Sequence, residues 1–512
     1  MTNFATLREA LAAHVAHDRD APLLVAPDNA HEPGLTLTYG QLEHQAQRVA
    51  AELRSRGMQR GDKVGLFLQN GLLTTTLFLS AMVGGYTIAP LNLLLQRGQL
   101  AYVLDHCDCK VLFTSSEYAD QVAEALRLVT RPIEVVEVDI DALEAGPALA
   151  DEVAFEPVAP QDPALLMYTS GTTGKPKGVV LTHQNLLAAS TNVARWHGLG
   201  RRDRVLSSLP LYHINGQVIS TVTPFVSGGS LVAPHRFSVS TWWDYVDQYQ
   251  CTWLNMVPTI IAYLLNAADP KRSYNLPSVR FGRSASAPLP PEQHLAFEQT
   301  FGIPVIEAMG MTESASVVFC NPMEAEKRRY GSPGLPCGVE AYVAGPEDGR
   351  PVPDGTIGEI RFRGDNVMNG YYKDPDRTAE TLTPDGWLRT GDLGYRDADG
   401  FYFITGRIKE LIIKGGENIA PREIDEALLK HPAVLEAGAV GIPDPNYGQD
   451  IAAAVVLKPG VVCSEEDLRH HCNNELGRYK TPKIIRVLDE LPKGPSGKIQ
   501  RLNLTDLLTH TE

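Results

Sequence analysis

The sequence predicts an α/β protein with three parts. A large N-terminal domain of helix-covered, largely parallel sheets carries a β-rich part, and a small α+β domain follows at the C-terminal end. Three observations support that expectation. Over most of the chain, short apolar runs alternate with helical patterns, as strands do when they are buried beneath the helices that connect them. Past Gly331 the segments shorten. Turn residues recur at Pro353-Asp-Gly355, Pro384-Asp-Gly386 and Asp397-Ala-Asp-Gly400, with strand-like runs at 357–363 and 402–405 between them. From about Lys409, helix and strand patterns alternate over roughly 100 residues, long enough for a separate core. The expected division is 1–408, with the β-rich part at about 331–408, and 409–512.

The elements follow in order. Thr38-Tyr-Gly-Gln41 is a capping box, in which the two end side chains each satisfy a backbone N–H at a helix start. The helix it opens places Leu42, Ala46, Val49, Ala50 and Leu53 on one face and closes at Gly57. Residues 64–68 read as a short apolar strand, and 71–82 as a helix apolar nearly all round, hence buried. Strands are predicted at 111–113 and 135–138. Thr182 caps a helix running towards Trp196, with Gly198 beyond its end. Further strands are predicted at 205–209, 231–233, 252–256 and 305–308. The last unit reads as a helix at 421–429, strands at 435–441 and 452–457, and a helix at 465–476.

Composition bounds the function. At 512 residues the chain is too long for a single core. A net charge of −15 repels nucleic acid and anionic membranes, so an anionic substrate must be received by a local cationic site. No apolar stretch of about 18 residues offers a membrane span, and the start, with Glu9 early, lacks a signal-peptide plan. Seven cysteines, an odd number, suggest reduced thiols and a cytoplasmic setting. Neither Cys107 with Cys109 nor His470-His471-Cys472 supplies four ligands at zinc spacing. The final Thr509-His-Thr-Glu512 matches no retention or peroxisomal address.

The chemistry starts at Tyr168-Thr169-Ser170-Gly171-Thr172-Thr173-Gly174-Lys175-Pro176-Lys177, followed by Gly178. Glycine allows sharp turns and close approach, while N–H groups, hydroxyls and ammonium groups stabilise anionic oxygens. The natural guest is a polyphosphate. The spacing Gly-x-x-Gly-Lys-Pro departs from the commoner nucleotide loop, which has Ser or Thr after its Lys to meet magnesium.

Four further stretches join it. They are Leu209-Pro-Leu-Tyr-His213-Ile-Asn215-Gly216; Glu307-Ala-Met-Gly-Met-Thr-Glu313; Thr390-Gly-Asp392 with Thr405-Gly-Arg-Ile-Lys-Glu410 and Lys414-Gly-Gly-Glu-Asn418; and Pro492-Lys-Gly-Pro-Ser-Gly-Lys498. In this order, over about residues 35–505, they resemble the adenylate-forming superfamily of acyl-CoA synthetases, peptide-synthetase adenylation domains and firefly luciferase. The resemblance implies attack of a carboxylate on the α-phosphate of ATP, loss of pyrophosphate, and capture of the acyl-adenylate by the thiol of coenzyme A. Bringing two anions together calls for positive charge and Mg²⁺.

The resemblance also implies roles. Thr169, Ser170, Gly171, Thr172, Thr173, Gly174, Lys175 and Lys177 would hold the β- and γ-phosphates. Thr312 would contact the α-phosphate, and Glu313 would hold Mg²⁺, which prefers oxygen ligands. Asp392 would accept both ribose hydroxyls, Arg407 would touch ribose or phosphate, and Met309 would stand beside adenine where relatives carry an aromatic residue. Lys498 would bridge the carboxylate and the α-phosphate. Lys409 falls at the hinge of a mobile C-terminal domain, and Gly415-Gly416 would line a pantetheine tunnel.

The acyl pocket of the family maps to His213, Asn215, Gly216, Arg283, Ser284, Ala285 and Gly310. The run Tyr212-His213-Ile214-Asn215 lacks the aspartate that pairs with an amino-acid amine, which disfavours an amino-acid substrate. His213 either gates the tunnel or stacks on the adenylate, or is a hydrogen-bonded core histidine. Arg283, if it faces inward, pairs with a second carboxylate and favours a short dicarboxylic or polar acid. Facing outward, or paired with a structural acid, it leaves a pocket for an aliphatic or aryl acid. A carrier-protein thiol is the alternative acceptor to coenzyme A, and the chain is expected as a monomer or homodimer.

Overall fold

A computed structural model describes residues 4–27, 34–144, 154–169, 176–269, 271–493 and 499–509. Among these residues the N-terminal part is built on two large sheets. One runs in the order Leu335–Pro336, Phe319–Cys320, Val305–Met309, Phe281–Ser284, Trp253–Met256, Arg204–Leu206, Ser230–Val232, Pro22–Ala26, Leu35–Thr38. It is parallel from Val305–Met309 through Pro22–Ala26 and antiparallel at both ends. The second has the order Gly370–Tyr371, Lys177–Thr182, Pro163–Thr169, Thr87–Pro90, Lys63–Phe67, Cys109–Thr114, Glu134–Glu137, with only its first two pairings antiparallel.

One apolar core joins the sheets. It takes Leu24, Phe281 and Ile306 from the first, Val64, Ile88 and Leu165 from the second, and Leu77 and Phe78 from the helix Leu72–Gly84. Every residue of that helix is buried, as its all-round apolarity predicts. Each such large side chain contributes about 1.5–3 kcal/mol on burial. The caps form as expected. The Thr38 hydroxyl accepts from Gln41 N at 3.2 Å, and Thr182 exchanges bonds with Asn185 at the start of His183–His197, which ends at left-handed Gly198.

The β-rich part is an antiparallel sheet of Glu340–Ala344, Gly358–Arg363, Leu388–Arg396 and Tyr402–Arg407. The smaller C-terminal domain pairs Ile412–Lys414, Glu417–Ile419, Val434–Asp444, Gly448–Leu457 and Ile484–Val487 around apolar clusters of its own. Its helix Pro421–Leu429 has the predicted limits, and Glu465–Lys480 extends past the expected end through a break at Gly477.

One prediction fails where function concentrates. The strand expected at 205–209 stops at Leu206. Ser207 N still reaches Val232 O at 3.1 Å, but Pro210 then turns the chain, and His213 N bonds back to Pro210 O at 3.0 Å. The segment after it, Asn215–Val222, is a π-helix, a wide coil frequent at functional sites.

Candidate active site

Pro163–Thr169 and Lys177–Thr182 form a hairpin whose last pair is Thr169 with Lys177. Ser170, Gly171, Thr172, Thr173, Gly174 and Lys175 lie outside the described residues, as does Lys498. At the base of the loop the Tyr168 hydroxyl and His106 Nδ1 are 2.7 Å apart, and the buried Thr169 hydroxyl has no partner among the described residues. Lys177 Nζ donates to Glu313 Oε1 at 2.9 Å and to the Tyr371 hydroxyl at 2.6 Å, and Tyr371 donates to the same Glu313 oxygen at 2.8 Å.

Glu313 is aimed by its turn. At the carboxyl end of Val305–Met309 the chain enters a 3₁₀ turn at Thr312–Ser314, then passes through left-handed Ala315 and Ser316. Asn366 Nδ2 holds that turn by donating to Ser314 O at 2.9 Å and Val317 O at 2.8 Å. Gly310 is obligatory here, because a Cβ would stand 1.9 Å from Ser316 O. Burial alone would raise the Glu313 carboxyl, but the Lys177 charge and the hydrogen bonds from Lys177 and Tyr371 hold it below its usual range. Thr312 and Met309 are partly buried beside it.

Asp392 and Arg407 face each other across adjacent strands, with Arg407 Nε 2.7 Å from Asp392 Oδ1 and the carboxylate buried. The charge of Asp392 holds the Arg407 guanidinium above its ordinary value against desolvation, with Glu410 and Glu313 adding to it. Lys409 is exposed in the following turn, Ile408–Glu410. Gly415 and Gly416 are exposed and left-handed, and a Cβ on Gly415 would touch Tyr447 and Tyr479. Gly415 and Gly416 therefore lie on the surface of the small C-terminal domain.

The third group stands where parallel strands end, the usual place for a site in an α/β sheet. Asn255 and Arg283 are in register on one sheet face, and the π-helix packs over them. Asn215 Oδ1 accepts from Asn255 Nδ2 at 3.0 Å and from an Arg283 terminal nitrogen at 3.5 Å, while its Nδ2 donates to Ser286 Oγ at 3.1 Å. Ser286 holds this position at φ +76°, a strained value for a residue with a Cβ. Gly216 lets the helix start, since a Cβ would meet Pro210 O at 2.4 Å.

Arg283 is fully buried, which excludes a solvent-facing side chain. Among the described residues its Nε and second terminal nitrogen meet no oxygen or nitrogen acceptor and no carboxylate is within ion-pair distance, while the Cys320 thiol lies against the guanidinium. Burial lowers its pKa, opposed by the nearby Cys320 and Cys337 thiols. Ser284 beside it is buried with an unpartnered hydroxyl, and Ala285 is buried. His213 is partly buried, its ring 5.0 Å from that of Tyr212.

The structure thus brings Lys177 together with Glu313, Asp392 with Arg407, and Asn215 with Arg283. Reading the sequence missed Tyr371, Asn255 and the His106–Tyr168 contact. Tyr371 lies in an unremarkable Gly-Tyr-Tyr run, and nothing in the sequence ties it to Glu313.

Residues 11–372 match the AMP-binding enzyme family, and 423–498 match the AMP-binding enzyme C-terminal domain. The chain is 54% identical over 504 residues to the sulfoacetate–CoA ligase of Cupriavidus necator, covering 98% of this chain and 97% of that one. It is 36% identical over 481 residues to the oxalate–CoA ligase of Arabidopsis thaliana, covering 91% and 92%. Among solved structures, ATP-bound MatB from Rhodopseudomonas palustris superposes with a TM-score of 0.88 at 29% identity, covering 99% of each chain. The o-succinylbenzoate CoA synthetase from Bacillus subtilis bound to its acyl-adenylate gives 0.86 at 30% identity, again over 99% of each. The chain belongs to the AMP-binding enzymes, the adenylate-forming family of acyl-CoA synthetases.

Proposed function

We propose that the chain makes the CoA thioester of a short acid bearing a second anionic group, a sulfonate or a carboxylate. The observation that carries this is Arg283: a buried guanidinium with two unpartnered nitrogens and no protein carboxylate in reach among the described residues. A buried charge without a counter-charge is costly unless a ligand supplies one. The planar fork suits either head group, since both present two coplanar-capable oxygens to it. The relatives named for sulfoacetate and oxalate support a small, doubly anionic acid.

The reaction runs in two steps. The acid's carboxylate oxygen attacks the α-phosphorus of ATP, and the bond to pyrophosphate breaks. The CoA thiol then attacks the acyl carbon, loses its proton, and AMP leaves. Thr169 to Lys177 would screen the departing pyrophosphate, Thr312 would contact the α-phosphate, and Asp392 with Arg407 would seat the ribose. Met309 would pack beside adenine. Glu313 fits a divalent cation: it is buried, ionised and already receives a cationic group at 2.9 Å. Mg²⁺ held there would offset the negative charge gathered around the polyphosphate.

Asn215, Gly216, Ser284, Ala285 and Gly310 would shape the acyl pocket, with His213 at its mouth. Lys498 would bridge the two reacting anions in the first step. A rotation about Lys409, dividing 1–408 from 409–512, would then withdraw Lys498 and bring Gly415-Gly416 to the pantetheine arm. Seven free thiols, six of them buried, support a reducing, cytoplasmic setting. The reading takes the enzyme as a monomer or homodimer, and coenzyme A rather than a carrier protein as acceptor.

The test is pyrophosphate release across mono- and dicarboxylic acids, sulfo acids and aryl acids with CoA present, for the wild type and Arg283→Ala. Wild type should favour short doubly anionic acids, and the variant should lose that preference. An unchanged ranking would sink the Arg283 assignment.

A further inference from the structure

Lys177, Glu313 and Tyr371 form a closed triangle. The ammonium and the Tyr371 hydroxyl both donate to Glu313 Oε1, at 2.9 Å and 2.8 Å, and the hydroxyl accepts from the ammonium at 2.6 Å. The ammonium also lies 4.3 Å from the centre of the Tyr371 ring. Glu313 is 5% exposed and Lys177 23%, so the pair is held at the rim of the site rather than in bulk water. Arg407, a second cation whose charge reaches Glu313, is engaged by Asp392 at 2.7 Å. Glu313 Oε1 is therefore already occupied by a lysine borne on the strand Lys177–Thr182.

We propose that Glu313 exchanges Lys177 for the divalent cation that accompanies ATP, and that the released ammonium passes to the polyphosphate. This rests on the assignment of Glu313 as the metal-holding carboxylate made above. An ammonium and a divalent cation on one oxygen repel. Two like unit charges about 4 Å apart already repel near a protein surface, and a double charge repels more. Before the nucleotide arrives, Lys177 keeps the buried carboxylate neutralised. Afterwards the lysine, at the paired end of its strand, has new oxygens to meet on the phosphates. Tyr371 makes the exchange orderly, because its neutral hydroxyl donates to Glu313 with either cation in place and so keeps the carboxylate aimed. No buried charge is left alone at any stage.

The test measures Mn²⁺ binding by electron paramagnetic resonance, first without nucleotide and then with ATP, in folded protein checked by circular dichroism. Without nucleotide, Lys177→Met and Lys177→Gln should bind Mn²⁺ at least tenfold more tightly than wild type. Tyr371→Phe, which loosens the lysine, should bind about threefold more tightly. With ATP the sign should invert, the lysine variants binding the Mn²⁺–ATP complex at least tenfold more weakly. Lysine variants that bind Mn²⁺ alone no better than wild type, or not at all, overturn the exchange. Glu313→Gln separates the two readings: if it keeps wild-type Mn²⁺ affinity, the metal assignment itself falls.

Discussion

At the nucleotide end of the site, Lys177, Glu313 and Tyr371 satisfy one another within 2.9 Å, whereas at the acyl end Arg283 is fully buried with two nitrogens unpartnered. Both ends must bind anions, yet they store positive charge differently. On the proposed reading, the nucleotide end keeps its cations paired internally, and the ligands would replace those partners on arrival. The acyl end leaves its cation without a carboxylate among the described residues, so on the same reading the substrate itself would complete the structure. The first arrangement tolerates many acids, because the pairing is indifferent to what is adenylated. The second discriminates, because an acid lacking a second anion leaves the guanidinium stranded.

The largest expected effect breaks the paired end. Glu313→Gln removes the charge that Lys177 neutralises and the oxygen proposed for Mg²⁺. Pyrophosphate release should fall about 10³-fold, about 4 kcal/mol at the transition state, and by the same factor for every acid tested. A loss confined to one class of acid would show that the two ends are not separable.

Next comes the unpaired end, where activity and stability should move in opposite directions. Arg283→Met should lower kcat/KM for doubly anionic acids about 10²-fold, about 2.7 kcal/mol. Without substrate it should raise the denaturation midpoint, since a buried charge without a carboxylate partner gives way to apolar packing worth about 1–3 kcal/mol. The Cys320 thiol, held well below its ordinary value by hydrogen bonding with Cys337 first and by His197 and Arg283 after it, should return upward in the variant. A variant that lost both activity and stability would mean that Arg283 serves the fold, through Cys320, rather than the substrate.

The same sheet offers a sharper contrast. Glu307 is in register with Ser284, one residue along from Arg283, and so lies on the opposite face. It too is buried, with one oxygen unpartnered and the other accepting from Leu289 N at 3.2 Å. Unlike the guanidinium, this carboxyl can escape by taking up a proton. Burial pushes it from 4.5 to about 7, against the Leu289 hydrogen bond and the charges of Arg422 and His294. Between those values the folded chain holds a proton that the unfolded chain has released. Stability linked to Glu307 is thus complete below pH 4.5 and is lost as pH rises through 7. The contribution has a slope of at most about 1.4 kcal/mol per pH unit. Subtracting denaturation profiles of Glu307→Gln from those of the wild type should recover that slope, and a flat difference between pH 5 and 7 would refute it.

How far these features could be read in advance depends on the range of the forces behind them. Caps are local, so Thr38 and Thr182 announced their helices, and the helix Leu72–Gly84 announced its burial by composition. The motif residues Lys177, Glu313, Asp392 and Arg407 were legible because fixed chemistry demands those types at those places. The partners were not. Tyr371 reaches Glu313 from 58 residues away, and Asn255 reaches Asn215 from 40 away, through the packing of strands against a turn and a π-helix. The orientation of Arg283 was undecidable because residue type does not reveal which sheet face will be covered. The π-helix Asn215–Val222 escaped notice because its spacing mimics a short apolar run, and the expected strand at 205–209 was cut short by Pro210.

The smallest effect serves to calibrate the others. Thr182 ends the strand that carries Lys177 and caps the helix His183–His197, and its hydroxyl accepts from Asn185 N at 3.2 Å while donating to Asn185 Oδ1 at 2.9 Å. Thr182→Ala removes both bonds and should cost about 1 kcal/mol of stability. Neither end of the site loses a charge or a partner, because Asn185 remains fixed by its donations to Asp365 O and Val367 O, each at 2.8 Å. The ranking of acids and the Mn²⁺ affinity should therefore match the wild type while the denaturation midpoint falls. If acid preference shifted as well, loosening this hairpin would be reaching the acyl end, and the separation between a paired and an unpaired end would have to be abandoned.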